Sequence, residues 1–119
     1  MKYLQKRKAA FRYAGIGIVR LFREEPHAKI HLLAAICVVA AGIIFGISPG
    51  EWCLCMLCIG SVFTAEAFNT AIEKLADRVT RESDPLIATA KDVAAAGVLI
   101  AAIISVIVGL IIFIPKFLN

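Results

Sequence analysis

The chain has 119 residues, 61% of them hydrophobic and 18% charged, whereas soluble domains are about 45–50% apolar. This composition excludes an ordinary water-soluble enzyme and leaves room for one membrane domain. The net charge of +4 suits a basic edge facing anionic headgroups, and no nucleic-acid partner is expected.

Residues 1–24 carry Lys2, Lys6, Arg7, Lys8, Arg12, Arg20 and Arg23. On a helical wheel Leu4, Phe11, Ile18 and Phe22 share a narrow sector, Lys2, Lys6, Arg12, Arg20 and Arg23 lie across from it, and Arg7 breaks the pattern. The segment therefore reads as a basic amphipathic helix lying on the membrane surface. A signal peptide fits poorly, because the cationic stretch is long and no short apolar run follows it.

Glu25-Pro26 marks a helix start, since proline is tolerated at the first helical position. A first membrane helix is expected over about 26–48, with its apolar run from Ile30 to Ser48. Gly42 and Gly46 stand at the spacing that lets two helix backbones approach. "SPGE" reads as a tight turn, and Trp52 follows at interfacial depth. A second membrane helix spans about 52–76, apolar from Trp52 to about Ala71. Asp84-Pro85 repeats the cap-then-proline signal and opens a third helix over about 85–114, apolar from Val93 to Ile114. Along it Gly97, Ala101, Ser105 and Gly109 recur every four residues, a stripe for helix packing within one chain or between chains. Each run approaches or exceeds the roughly 20 residues that cross a bilayer core.

The linker after the first run has no Lys or Arg, the next carries Lys74, Arg78, Arg81 and Lys91, and only Lys116 follows the third. This alternation places the N-terminus inside and the C-terminus outside. Cys37, Cys53, Cys55 and Cys58 all fall in apolar runs. A metal site would need three on one face, yet Cys53 and Cys55 point about 200° apart, so they read as small buried hydrophobes. The expected fold is an all-α membrane protein with an N-terminal amphipathic surface helix and three transmembrane helices. Such a thin structure shields few polar groups alone, and a homo-oligomer is expected.

The stretch "TAEAFNTAIEK" places polar residues inside the second helix. Glu66 lies fourteen residues past Trp52, roughly 21 Å along the axis and in the inner half of the bilayer. Glu73 lies two turns further, at the boundary. The i, i+3, i+7 spacing puts Glu66, Asn69 and Glu73 on one face, and Asp77 extends the stripe. Glu25, Lys29 and His31 reach the same level from the first helix, Lys91 and Asp92 from the third.

An intramembrane carboxylate marks a functional site by default. Paired carboxylates can hold Mg²⁺ together with substrate phosphates, a lysine can face phosphate, and Glu66, set where a lipid hydroxyl rests, can serve as a base. The set suits phosphoryl transfer from a nucleotide to a lipid. Neither a P-loop nor a protein-kinase Gly-rich loop is present. Two other classes use the same residues differently. A small proton-linked transporter would need its pathway to continue outward, yet no Asp, Glu, Lys, Arg or His lies between His31 and Glu51 or between Glu51 and Glu66. A non-catalytic membrane subunit would use the polar residues for assembly alone.

"EAFNTAIEKLAD" followed by "AKDVAAAGVLI" closely resembles the paired signatures of the prokaryotic diacylglycerol kinase family, integral-membrane lipid kinases, and the resemblance covers nearly the whole chain. It implies a homotrimer in the bacterial cytoplasmic (inner) membrane, with shared active sites at the cytoplasmic face that use ATP and Mg²⁺. By that resemblance Glu66 is the base for the lipid hydroxyl and Asn69 positions its neighbours. Glu25 and Glu73 are the metal-binding carboxylates. Tyr13, Glu25, Glu73, Glu82, Lys91 and Asp92 contact ATP, and Lys6 and Glu66 contact the lipid alcohol. "KIH" and "DPL" look more like the undecaprenol kinases of Gram-positive bacteria, while His27 stands where those relatives often have asparagine. The acceptor stays open between diacylglycerol and undecaprenol.

Overall fold

A computed structural model describes residues 2–119. They form four helices, α1 (Lys2–Glu24), α2 (Pro26–Phe45), α3 (Pro49–Val79) and α4 (Pro85–Leu118), and no strand occurs among the described residues. A proline pushes the residue before it out of the helical region. Glu25 is accordingly extended, at φ −102° and ψ 113°, and this single residue separates α1 from α2. Its N–H still donates to the Leu21 carbonyl, at 3.2 Å, and completes the last turn of α1.

α2 stops at Phe45 because Gly46 adopts the left-handed conformation, φ 61° and ψ 54°. The Gly46 and Ile47 amides donate back to the Ile43 and Gly42 carbonyls, at 3.3 and 3.1 Å, and close the helix end. The Gly42/Gly46 pair thus does two separate jobs rather than seating another helix backbone. Gly46 ends α2, while Gly42 receives the Trp52 indole of its own chain so closely that an added Cβ would lie 2.7 Å from the ring.

α3 begins at Pro49, ahead of the expected Trp52, because Ser48 and Glu51 form a capping box. The Glu51 N–H donates to Ser48 Oγ at 3.2 Å and the Ser48 N–H to Glu51 Oε1 at 3.0 Å. Its 31 residues extend about 46 Å, longer than a roughly 30 Å hydrocarbon core. α4 starts where Asp84 Oδ1 accepts from the Leu86 and Ile87 amides at 2.9 and 3.1 Å. It continues past the expected end, through Pro115 to Leu118. Two contacts hold that last turn: Lys116 Nζ to Glu51 Oε2 at 3.0 Å, and Phe117 edge-on to Phe45 with ring centroids 4.8 Å apart.

α3 and α4 are antiparallel, since Lys91 meets Asp77, Ser105 meets Cys58, and Lys116 meets Glu51. Ser105 Oγ donates to Ala101 O at 2.8 Å and to Cys58 O at 3.4 Å, which turns this part of the small-residue stripe toward α3 of the same chain. α2 runs antiparallel to α3 through His31–Glu66 and Gly42–Trp52. At the end remote from α1, Ile47, Cys55 and Ile112 form a buried cluster packed by Phe45, Trp52 and Phe113. Of α1, only Leu21 is buried, and Phe22 stacks edge-on against Phe63 at 5.2 Å.

Many large apolar side chains remain bare, among them Leu33, Ile43, Ile44, Leu57 and Ile111. Water would not tolerate a surface of that extent. α2, α3 and α4 are each long and apolar enough to cross a membrane.

Candidate active site

The stripe on α3 turns into the bundle, with Glu66 facing α2 and Asp77 facing α4. Glu66 is 2% exposed, Thr70, one turn on, is 9% exposed, and Asn69 and Glu73 are half-buried. Glu66 Oε2, Asn69 Oδ1 and Thr70 Oγ1 are buried and have no hydrogen-bond partner among the described residues. Buried polar atoms are normally satisfied, and these three lie on two adjacent turns of one helix. His31 of α2 faces the same carboxylate, with Nε2 3.5 Å from Glu66 Oε2, too far for a good hydrogen bond.

Near the α1–α2 joint, Lys74 Nζ lies 3.5 Å from Glu24 Oε2. The chain neighbours of that pair are Glu25 and Glu73, so the contact brings both to one level. Lys91 Nζ donates to Asp77 Oδ1, which brings the start of α4 to the same end. Lys74, Lys91 and Lys116 each neutralise one carboxylate, on Glu24, Asp77 and Glu51. Glu25 and Glu73 have no ion pair or side-chain hydrogen bond among the described residues. Their hard oxygen donors fit Mg²⁺ in the manner usual for that ion, with one or two carboxylates and the rest of the shell from substrate and water. No group of three His, Cys, Asp or Glu able to hold a metal exists among the described residues, so a metal ion on these carboxylates would take its other ligands from substrate and water.

A groove of about 430 Å³ runs between α1 and α3 beside Thr70, lined by Arg20, Glu24 and Lys74 with Ala14 and Gly17 at its wall. Tyr13 adjoins Ala14 in the chain but is exposed, and Arg12 stands 5.8 Å from its ring centroid. Lys6 is exposed and lies eight residues, about 12 Å, further along α1. Glu82 is exposed in the α3–α4 connector, where its N–H donates to Thr80 Oγ1 at 3.0 Å. Asp92 is exposed one residue beyond Lys91.

The structure therefore gathers Glu66, Asn69, Glu73, Glu25 and Lys91 toward one end of the bundle, and leaves Lys6, Tyr13, Glu82 and Asp92 on the surface around it. Sequence reading passed over Thr70, although its i+4 spacing from Glu66 places it on the same stripe. Depth counting puts His31 at the level of this site, but that it faces Glu66, thirty-five positions away, is set by the packing of α2 on α3.

Residues 12–113 match the family model described as prokaryotic diacylglycerol kinase. The chain is 42% identical over 107 residues to an undecaprenol kinase of Bacillus subtilis, covering 90% of this chain and 87% of that one. To a diacylglycerol kinase of Synechocystis sp. it is 32% identical over 111 residues, covering 92% of this chain and 63% of that longer protein.

Proposed function

We infer the reaction from one premise: the chain belongs to the prokaryotic diacylglycerol kinase family and is a lipid kinase, a phosphotransferase whose acceptor is an alcohol. The enzyme transfers the γ-phosphate of ATP to the hydroxyl of a membrane lipid alcohol, undecaprenol ahead of diacylglycerol. That order is supported by the 42% identity to an undecaprenol kinase against 32% to a diacylglycerol kinase, and by "KIH" and "DPL". The chain lies in the bacterial cytoplasmic membrane with its N-terminus and active site on the cytoplasmic side, as the distribution of Lys and Arg supports. It works as a homotrimer with shared sites. The bare apolar flanks of α2, α3 and α4 and the two-carboxylate metal set support that assembly.

The observation that carries the reading is Glu66, a carboxylate 2% exposed whose Oε2 has no hydrogen-bond partner among the described residues. Glu66 accepts the proton of the acceptor hydroxyl as its oxygen bonds to the γ-phosphorus. The bond from that phosphorus to the β,γ-bridging oxygen breaks, and ADP leaves. Asn69 and Thr70 offer polar atoms to hold the acceptor or the terminal phosphate. Glu25 and Glu73 would hold Mg²⁺, which when bound neutralises phosphate charge. Lys91 contacts the nucleotide phosphates, with Asp92, Tyr13 and Glu82 around it, and Lys6 reaches the lipid headgroup from α1.

The test is the purified protein in bilayers with labelled ATP, Mg²⁺ and either undecaprenol or diacylglycerol. Glu66→Gln should lower phosphate transfer about 10²–10⁴-fold, the usual share of a general base. Transfer by Glu66→Gln at the wild-type rate removes Glu66 from that role. No transfer to either lipid by the wild type defeats the proposed reaction.

A further inference from the structure

The residue facing the proposed base is a histidine from another helix. His31 Nε2 stands 3.5 Å from Glu66 Oε2, the same oxygen that has no hydrogen-bond partner. Among the described residues no other Lys, Arg or His comes within salt-bridge range of that carboxylate. The His31 side chain is 24% exposed. His31 also lines a cavity of about 250 Å³ whose remaining walls, from α2, α3 and α4, are almost wholly apolar, including Val62, Phe63 and Ala102. The residue thus borders both a buried carboxylate and largely apolar space.

Among the described residues Glu66 Oε2 has no hydrogen-bond donor, and the His31 ring nitrogen is the basic group that stands against it. The gap exceeds the usual 2.7–3.2 Å of an N–H···O bond, as is common for catalytic contacts before substrate binds. We propose that His31 is the positioning residue of the base: its Nε2–H donates to Glu66 Oε2, fixes the carboxylate plane and leaves Oε1 for the acceptor hydroxyl. The contact closes when the acceptor occupies the site. An untethered glutamate would rotate about its side-chain bonds, and misplacement of a reacting group by about 1 Å can lower a rate some 10²-fold. The inference rests on Glu66 being the base.

His31→Gln and His31→Met separate positioning from packing. Both side chains are of similar reach, both can fill the wall of the apolar cavity, and only glutamine can donate a hydrogen bond. His31→Met should lose about 10–100-fold in kcat with the KM for ATP unchanged, the scale seen when a supporting residue behind a reacting group is removed. His31→Gln should stay within about three-fold of the wild type. A second measurement does not depend on turnover. The chain has two histidines, so the ¹⁵N imidazole resonances can be assigned with His31→Gln, and Glu66→Gln should shift the Nε2 signal of His31 and leave that of His27 in place.

Equal loss in His31→Gln and His31→Met, wild-type activity in both, or an Nε2 resonance indifferent to Glu66→Gln overturns the proposal. If Glu66→Gln itself transfers phosphate at the wild-type rate, the assignment of the base has failed, and the role of His31 with it. If Glu66→Gln is inactive while the two His31 variants behave alike, only the role of His31 has failed.

Discussion

Lys74 Nζ on α3 lies 3.5 Å from Glu24 Oε2 at the end of α1, and this pair brings their neighbours Glu73 and Glu25 to one level. Lys74 pairs with Glu24, and Glu25 and Glu73 have no ion pair among the described residues. In the proposed reaction Mg²⁺ held by these two carboxylates would draw its remaining oxygens from substrate and water.

Glu25→Gln and Glu73→Gln should each raise the half-saturating Mg²⁺ concentration by about ten-fold or more, as expected when a contact to a charged group worth roughly 1.5–3 kcal/mol is lost. Glu24→Gln breaks an exposed ion pair of the kind that contributes about 0–1 kcal/mol and should leave the Mg²⁺ dependence within two-fold. Mg²⁺ titration of phosphate transfer checks all three. Unchanged Mg²⁺ dependence in Glu73→Gln would take that residue out of the metal site.

Lys91 is held by Asp77, which orients its ammonium from a neighbouring helix. Lys91→Met should raise the KM for ATP about ten-fold or more. Asp77→Asn keeps the side-chain shape but removes the charge holding the lysine, and a smaller rise is expected with kcat nearly constant. Initial rates against ATP concentration decide this. A KM unchanged in Lys91→Met means that Lys91 does not touch the nucleotide.

At the opposite end, Gly42 accommodates the Trp52 ring, and an added Cβ would lie 2.7 and 2.9 Å from two of its atoms and 3.0 Å from Ile47 Cδ1. Gly42→Ala should destabilise the protein by about 1–3 kcal/mol through overpacking, seen as a lowered Tm in detergent. Combining it with Trp52→Leu should recover part of the loss. A Tm equal to wild type in Gly42→Ala would show that the indole has another seat.

Ser48→Ala removes one side of the α3 capping box and should cost about 1 kcal/mol. Ser48→Asp, which can cap equally, should not. Ser48 is eighteen residues from Glu66, about 27 Å along α3, so both variants should retain phosphate transfer. Thermal unfolding with a transfer assay on the same samples checks the pair.

The helices were legible in the sequence because their signals are local. Pro26 and the Asp84-Pro85 cap carry their own backbone preferences, and the 3.6-residue period alone puts Glu66, Asn69 and Glu73 on one face. The start of α3 at Pro49 was legible too, in the Ser-x-x-Glu of "SPGE", though that stretch reads equally well as a tight turn. The end of α4 was not. Pro115 signals a stop, and what carries the helix past it is Phe117 against Phe45 and Lys116 against Glu51, both long-range contacts.

The amino-acid order settled that three apolar helices and a basic amphipathic one form, and which face of α3 is polar, since hydropathy and helical period act within a few turns of chain. Tertiary packing settled what that face meets. It set His31 against Glu66, gave Lys74 to Glu24 and Lys91 to Asp77 while Glu25 and Glu73 have no ion pair among the described residues, and turned Ser105 of the α4 stripe toward α3. These pairings depend on how antiparallel helices slide and rotate against one another, a choice made by side-chain packing across the whole bundle.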